Sequence, residues 1–419
     1  MCSRKSNAKK FTDGVKATCE ETGLQALTQP LLMGYLKSQL STLPDKRIGH
    51  NKQHSMLDAG LSAFAVFFMQ LPSFLAQQQL MLQARGGCNA FSLFGLSQIP
   101  SDNRIRQLLD PISPDLLNPL FDQIFEALMA RKTLEPFRHV NDTLLMALDG
   151  VHYFASNKLN CDCCSERAHR DGVVSYSHAA VAVAVVSPDN SEVISLAPEF
   201  ITPQDGCSKQ DCELNAAKRW LSQHGERYVQ HQVTLLGDDL YAHQPFCEQE
   251  LAQHFHFIFT CKPSSHVFLY EWLKDLREPH LKTVTYLRRV GNKTCRDTYQ
   301  FANQVPLRDS DDALHVNWCE LITRDAQDNI VYRNAFATNH LITDKNVVDI
   351  VEAARARWKI ENEHNNVLKN RGYHLTHNFG HGKQHLSKLL FTFNLLAFLF
   401  HTVLALHDTD YQYLRNALG

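Results

Sequence analysis

The sequence predicts an α/β protein in which a helical N-terminal region precedes a mixed-sheet core. Residues 1–140 place apolar side chains at helical spacing, whereas short apolar runs typical of buried strands begin at Asn141. Residues 280–342 are rich in strand formers and basic groups, and helical spacing returns at Lys345. The hydrophobic content of 44% and the charged content of 21% are those of an ordinary globular protein.

At 419 residues the chain is long for a single core, so several domains are expected. The predicted divisions are a helical N-terminal region at 1–140, the first part of the core at 141–279, a β-rich insertion at 280–343 and the C-terminal helices of the core at 344–419.

The N-terminal helices are predicted from three amphipathic segments, TQPLLMGYLKSQLSTL, HSMLDAGLSAFAVFFMQLPSFLAQQQLML and PLFDQIFEALMARKTL. Between the last two, Ser101 or Asp102 is expected to cap a helix that begins at Asn103.

The core strands are predicted from the apolar runs DTLLMALDG, HAAVAVAVVSP and EVISLAPEFI. The helix KQDCELNAAKRWLSQHG, the strand QVTLLGDDLY, the helix AHQPFCEQELAQH and the strand FHFIFTCKP follow. The expected order is therefore three strands, helix, strand, helix, strand. In the insertion, TVTYLRRV, HVNWCELITRD and NIVYRNAFATN predict further strands.

One apolar segment, residues 389–406, approaches the length of a membrane span. It contains Thr392, Asn394 and His401, so we predict a helix buried in a large core and no membrane association. The N-terminus has charges without an apolar stretch behind them, which argues against a signal peptide and for a cytoplasmic protein.

The formal net charge of −2 does not indicate a nucleic-acid binder, so any DNA contact must come from local basic patches. Solvated surfaces would explain either patch equally well. The first patch contains Arg277, Lys282, Arg288, Arg289, Lys293 and Arg296, and the second contains Arg355, Arg357, Lys359, Lys369 and Arg371.

Carboxylates follow two of the apolar runs. Asp149 comes after LLMAL, and Asp238 and Asp239 come after VTLLG. An Asp at the end of an apolar strand places a hard oxygen ligand at the open edge of a sheet, although it can also merely cap a turn. Two such aspartates together with a helical Glu361 are the ligands expected for a pair of Mg²⁺ or Mn²⁺ ions in phosphoryl transfer.

The segment around Glu361 is predicted to be a helix with a polar stripe. Arg357, Glu361, Asn365 and Lys369 lie four residues apart and therefore project from one slowly drifting row. Glu361 is predicted to reach the metals while Arg357 and Lys369 hold a polyanion on either side of it. The alternative is a surface helix stabilised by Arg–Glu pairing, worth only a few tenths of a kcal/mol.

These motifs resemble those of the DDE transposases of bacterial insertion sequences, which have a ribonuclease-H-like catalytic core. That family carries Asp-Gly at the end of its first strand, matched here by Asp149 and the glycine after it. It carries Asp-x-x-[Phe/Tyr] after its fourth strand, and the match in DDLY favours Asp238 over Asp239. Its late helix carries Tyr-x2-Arg-x3-Glu-x6-Lys (YREK), and RWKIE supplies Arg357 and Glu361 at the required spacing.

The resemblance covers roughly residues 141–410 and has two departures. The tyrosine of the helix motif is Ala354, and the lysine falls one residue late because position 368 is Leu. In an α-helix Lys369 would lie about 80° from the direction of Glu361.

The resemblance implies a ribonuclease-H-like mixed sheet and an endonuclease that acts on its own transposable element in DNA recombination. It implies that Asp149, Asp238 and Glu361 bind two Mg²⁺ or Mn²⁺ ions for phosphodiester hydrolysis, after which the 3′-OH ends are joined to target DNA. The implied partners are transposon-end and target DNA, with a homodimer in the DNA complex because two ends are cut together. The predicted DNA contacts are Arg357, Asn365, Lys369, Arg288 and Arg289, and the helical region 1–140 is expected to bind DNA as well.

Two other functions stay open from the sequence. One is a DNA-binding protein of the same fold that has lost its chemistry, and the other is a plain metal-dependent nuclease without strand transfer.

The twelve cysteines, without a secretory signal, favour reduced thiols or a metal over disulfides. Cys161 and Cys164 have the spacing of half a zinc site, so a structural Zn²⁺ is predicted beside the alternative of ordinary thiols. The histidine-rich segment GYHLTHNFGHGKQH is interpreted as a DNA-facing loop and not as a metal site. The candidates for the other half of the zinc site are Cys207, Cys212, His169 and His178, of which Cys212 is preferred.

Overall fold

The computed structural model has an α/β fold, in which helices surround one 11-stranded mixed sheet. The predicted fold class is confirmed at this level. Cys207 lies outside the described residues. The structure describes residues 22–48, 52–82, 90–96, 98–203, 211–291 and 293–418.

The N-terminal segments are helical, as their apolar spacing predicts. Ser101 caps the fourth helix, because its Oγ accepts a hydrogen bond from the Arg104 backbone N–H at 3.4 Å. The helix begins at Asp102, one residue before the expected position. The helices are α1 (Gln29–Ser41), α2 (Met56–Phe68), α3 (Phe74–Leu82), α4 (Asp102–Leu109) and α5 (Asn118–Ala130).

The core follows the predicted order of strands and helices with local differences. The segment EVISLAPEFI forms two short strands instead of one, and the helix α8 was not predicted. The elements are β1 (Leu144–Ser156), β2 (Ser165–Ala168), β3 (Val174–Val186), β4 (Ile194–Ser195), β5 (Glu199–Ile201), α6 (Glu213–Val229), β6 (Val233–Gly237), α7 (Gln244–Ala252), β7 (His256–Thr260) and α8 (Val267–Asp275).

The sheet runs in the order β2-β3-β1-β6-β7-β11-β10-β9-β8, with β4 and β5 paired to β3. The neighbours β1 and β3 are antiparallel, whereas β1, β6 and β7 are parallel to one another. The first five residues of β1, the last nine residues of β3 and all of β6 are buried. Burial on both faces explains why these strands read as continuous apolar runs.

The β-rich insertion extends this same sheet. Its last strand is antiparallel to β7, with Phe336 opposite Thr260. One long strand, β9, was not predicted from the sequence. The strands are β8 (Lys282–Val290), β9 (Lys293–Pro306), β10 (His315–Arg324) and β11 (Ile330–Thr338).

The C-terminal elements are α9 (Val347–Ala356), a π-helix (Ile360–Asn365), α10 (Asn366–Asn370), α11 (Leu386–His407) and α12 (Thr409–Leu418). Helix α11 is long and apolar enough to cross a membrane, but 89% of its 18-residue apolar window is buried inside the protein. The prediction of a buried core helix is therefore confirmed. The N-terminal helices provide part of the packing around α11, since the rings of Phe64 on α2 and Phe400 on α11 lie 5.0 Å apart.

Candidate active site

Asp149 and Asp238 reach the same level on neighbouring parallel strands. The ladder between β1 and β6 pairs Leu144 with Val233 and runs to Ala147 opposite Leu236. Asp149 lies two residues after Ala147, and Asp238 lies two residues after Leu236. Because parallel neighbours are about 4.8 Å apart, this register places both carboxylates at one edge of the parallel part of the sheet.

The prediction that the first strand ends at Asp149 is wrong. β1 continues to Ser156 and pairs with β3 throughout, with Asp149 opposite Ala182. The parallel neighbour of β1 is shorter, because β6 ends at Gly237, one residue before Asp238. The Asp-Gly pair therefore does not make a turn, and Asp149 lies where the sheet changes from two-sided to one-sided pairing.

Asp149 is held by two side chains from the helical segment that carries Glu361. The Arg357 Nη1 lies 3.5 Å from Asp149 Oδ1, and the Asn365 Nδ2 donates to Asp149 Oδ2 at 2.9 Å. Arg357 is only 8% exposed and Asn365 only 3%. Two of the predicted DNA contacts therefore also orient a predicted metal ligand.

The π-helix is fixed to the sheet through His364. This fully buried ring contacts the Asn365 Oδ1 through Nδ1 at 2.9 Å and the Ser195 Oγ on β4 through Nε2 at 3.0 Å. The amide of Asn365 is therefore held at its oxygen while its nitrogen faces Asp149. π-helical turns occur often at functional sites.

The pKa of the Asp149 carboxyl is raised to about 6. Burial is the largest cause, and the carboxylates of Glu213 and Glu361 raise it further. The Arg357 charge and the Asn365 hydrogen bond oppose these effects. The site thus concentrates negative charge around a buried carboxyl, a condition that a bound cation would relieve.

A fourth carboxylate, Glu213, joins this site and was not predicted. It is the first residue of α6, and its Oε1 accepts hydrogen bonds from the Gly150 N–H at 3.0 Å and from the Tyr241 hydroxyl at 2.7 Å. A Cβ at position 150 would overlap the Glu213 carboxylate, so the glycine permits this approach. Tyr241 is the aromatic residue of DDLY. Glu213 therefore links this motif to Gly150, the residue that follows Asp149.

Asp238 and Asp239 have different surroundings. The Asp239 carboxylate accepts hydrogen bonds from the Lys262 N–H at 2.6 Å and from the Ser265 hydroxyl, which fastens the segment after β7. Asp238 is half-buried and accepts the Leu240 N–H at 2.8 Å, as a turn-capping residue does. Its charge also acts on Tyr241, whose pKa burial holds well above the usual range. The contacts of Asp239 therefore lie with the segment after β7, whereas Asp238 makes the turn contact with Leu240.

Asp149, Asp238 and Glu361 do not form a tight cluster in the protein alone. Among the described residues, the group of at least three metal-ligating side chains with all ligand atoms within 4.8 Å is Cys161, Cys164, His178 and His381.

Lys369 lies on α10 and is half-buried. The angular offset expected from Glu361 assumed a regular α-helix, which is wrong for residues 360–365. A π-turn closes its hydrogen bonds from i to i+5 and so takes up about one residue more than an α-turn. An insertion of one residue between Glu361 and Lys369 is the size of the delay of the lysine in the sequence motif.

Arg288 and Arg289 are remote from these residues. They lie on β8, six strands from β1 at the end of the sheet, which corresponds to a distance on the order of 30 Å. Arg288 pairs with Asp297 on β9, and Arg289 is exposed. The structure does not bring them to the candidate active site.

The preferred third ligand of the predicted zinc site, Cys212, is exposed and caps the N-terminus of α6. It is not a member of the cysteine–histidine group. His381, from the histidine-rich segment that was interpreted as a DNA-facing loop, takes a place in that group.

Comparisons with known proteins give a distant structural likeness. No protein-family model matches the chain, and no curated protein matches it significantly in sequence. Among solved structures, a cryo-EM structure of a piggyBac transposase synaptic complex with hairpin DNA aligns with 8% identity and a TM-score of 0.44. The alignment covers 93% of this chain and 79% of that chain, and likeness at this level does not establish a shared fold or activity.

Proposed function

We propose that this protein is a metal-dependent DDE transposase of a bacterial insertion sequence, with a ribonuclease-H-like core. The observation that carries the proposal is the β1–β6 register, which aligns Asp149 with Asp238. The Glu361 segment is fastened to the same place by the contacts of Arg357 and Asn365 with Asp149. The antiparallel pair β1 and β3, followed by α6, β6, α7 and β7 with β6 and β7 parallel to β1, supports the ribonuclease-H-like assignment.

The donor set suits Mg²⁺ or Mn²⁺. Asp149, Asp238 and Glu361 offer carboxylate oxygens, which these hard cations prefer, and a bound cation would offset the burial and the neighbouring carboxylates that raise the pKa of Asp149. Two bound ions would supply an activated water and stabilise the charge that develops on the phosphodiester.

The protein's own groups would orient this site. Arg357 and Asn365 fix the Asp149 carboxylate, and Glu213 holds the backbone at Gly150 and the Tyr241 hydroxyl. Arg357, Asn365 and Lys369 would then contact the DNA nearest the cut, in the register that the π-helix sets. Arg288 and Arg289 would bind DNA about nine base pairs away, given a rise of about 3.4 Å per pair.

The proposed partners are the ends of the element and the target DNA, with the helices of residues 1–140 contributing to end recognition. A homodimer in the DNA complex would bring two ends together. The proposed location is the cytoplasm.

The test is metal-dependent cleavage of labelled duplexes that carry the DNA flanking the gene, with a supercoiled plasmid as target. Labelled ends joined to the plasmid in Mg²⁺ are expected, and Asp149→Asn should lose both products while retaining DNA binding. Cleaved but unjoined ends would favour a plain nuclease. Binding without cleavage in Mg²⁺ or Mn²⁺ would favour the DNA-binding protein and overturn the proposal.

A further inference from the structure

Four potential metal ligands from three separate segments converge beside the sheet. Cys161 and Cys164 lie between β1 and β2, His178 lies on β3, and His381 lies in the segment between α10 and α11. Their ligand atoms all lie within 4.8 Å of one another. These segments are up to 220 residues apart in sequence, from Cys161 to His381, so tertiary folding alone assembles the group.

The separations match the edges of a tetrahedron around zinc. Zn–S bonds of about 2.3 Å and Zn–N bonds of about 2.0–2.1 Å give ideal S···S and S···N edges of about 3.8 and about 3.6 Å. The Cys161 and Cys164 sulfurs are 3.9 Å apart. The Nε2 of His178 lies 3.6 Å from Cys161 Sγ and 3.5 Å from Cys164 Sγ, and the Nε2 of His381 lies 3.8 Å from Cys164 Sγ.

The two cysteines form a tight turn with both sulfurs on one side. The Cys164 N–H donates to the Cys161 carbonyl oxygen at 3.0 Å, and the Cys161 N–H donates to Cys164 Sγ at 3.4 Å. Cys164 is 3% exposed and His178 is 1% exposed. Both sulfurs are therefore held close to the same buried imidazole.

Both histidines present the same nitrogen to the sulfurs. The rings of His178 and His381 lie 5.0 Å apart, and Phe154 packs against both, with ring centroids at 5.5 and 4.5 Å. Their Nδ1 atoms are buried and have no hydrogen-bond partner within the part of the chain that the structure describes. No protein contact there fixes the ring tautomers, whereas a metal on Nε2 would fix both.

We propose that Cys161, Cys164, His178 and His381 bind a structural Zn²⁺. Two thiolates and two imidazoles select zinc over Mg²⁺, and four protein ligands complete a tetrahedral shell without an open position for substrate. The ion would tie the segment that leaves β1, the strand β3 and the segment that precedes α11 to one point. It therefore braces the two sides of the candidate active site without joining its chemistry, and the inference does not rest on the proposed function.

The experiment is elemental analysis of the full-length protein after gel filtration, with adjacent cysteines as a matched pair. About one zinc per chain is expected in the wild type and in Cys163→Ser, and much less in Cys164→Ser, with a lower Tm. Cys163 has the same chemistry but lies outside the group. Zinc-free, folded wild-type protein would overturn the proposal, as would equal zinc contents in the two variants. A Cys161–Cys164 disulfide, detected as two missing thiols in the denatured protein, would also overturn it.

His381→Ala provides a second variant in case Cys164→Ser does not fold, since His381 is only half-buried. Cobalt replaces zinc in this experiment and reports the ligands by absorption. The wild type should show the intense visible bands of tetrahedral Co²⁺ together with thiolate charge-transfer bands. His381→Ala should retain charge transfer but bind Co²⁺ at least about 10-fold more weakly. An unchanged spectrum and affinity would remove His381 from the site and overturn the four-ligand proposal.

Discussion

Asp149 is largely buried near two other carboxylates and contacts the Arg357 guanidinium and the Asn365 amide. Burial and the neighbouring carboxylates outweigh these two contacts, so the ionised form of Asp149 destabilises the folded protein. Burial raises its pKa from 3.8 to about 6, with Glu213 and Glu361 adding to the effect. A carboxyl whose folded pKa is raised stabilises the protein below its unfolded pKa, and this contribution is lost as the pH rises through about 6. Without a cation, the ionised Asp149 therefore opposes folding by roughly 2–3 kcal/mol at pH 8.

Asp149→Asn should consequently stabilise the protein at pH 8 in buffer without added Mg²⁺, because the neutral amide avoids the ionisation cost. The gain in free energy of unfolding should be about 2 kcal/mol at pH 8 and roughly half of that at pH 5. Thermal denaturation at the two pH values measures it. Added Mg²⁺ should raise the Tm of the wild type more than that of the variant. A variant less stable than the wild type at pH 8 would contradict this account.

Asp238 and Asp239 provide a matched pair of neighbouring carboxylates. Asp239→Ala removes the acceptors of the Lys262 N–H and the Ser265 hydroxyl and should cost about 1–3 kcal/mol of stability. Asp238→Ala loses one turn hydrogen bond, so its Tm should change less, but its DNA cleavage should fall to background. Cleavage assays and melting curves on both variants are the measurement. The opposite pattern would assign the metal ligand to Asp239.

At the scale of the element, the π-helix decides which side chains meet the sheet. It lies between Arg357, which contacts Asp149, and α10, which carries Lys369. Because the wider turn absorbs one residue, Arg357, Asn365 and Lys369 can share a face although the lysine falls one position late. The sequence pattern alone, interpreted with α-helical geometry, predicts a lysine that points away.

Deletion of Asn362, an exposed residue within the π-helix, should therefore be tolerated. The segment can become a regular α-helix without rotating the residues that follow, so the Tm should change by only a few degrees. Deletion of the exposed Glu352 in α9 is the control, because it rotates everything after it by about 100° and removes Arg357 and Glu361 from the site. Cleavage and Tm should collapse in that control. Equal damage from both deletions would contradict a one-residue π insertion.

At the scale of the whole molecule, the N-terminal helices and the sheet half share one core. The buried hydrophobic residues form a continuous cluster from Leu27 to Leu406. Helix α11 packs against α2, and the Asp408 Oδ2 accepts the Gln29 N–H at 3.0 Å. An apolar helix of this length requires cover on every side, and the N-terminal region provides part of it.

Phe64→Ala should therefore destabilise the whole protein by about 3–5 kcal/mol, since its ring is fully buried against Phe400. Phe91→Ala, at a side chain that is 71% exposed, should change stability by less than about 0.5 kcal/mol. Urea denaturation followed by circular dichroism should show one transition that moves for Phe64→Ala. Loss of an early, separate transition would instead indicate an independent N-terminal domain.

The sequence by itself predicted the features that short-range patterns encode. Continuous apolar runs gave β1, β3 and β6, because strands buried on both faces need apolar side chains at every position. Helical spacing predicts α1, α2 and α5, and Ser101 is one of the two residues predicted to cap α4. The candidate ligands Asp149, Asp238 and Glu361 could be selected because each belongs to a local motif.

The tertiary structure alone decided which distant residues meet. Glu213 has no sequence signal, because only the packing of α6 against the sheet brings it to Gly150 and Tyr241. His381 lies 217 residues from Cys164, so spacing cannot reveal it as a partner, whereas His178 is among the candidates that the sequence offers. Local patterns determine local structure, whereas long-range neighbours follow from how the elements pack, which no short window of sequence records.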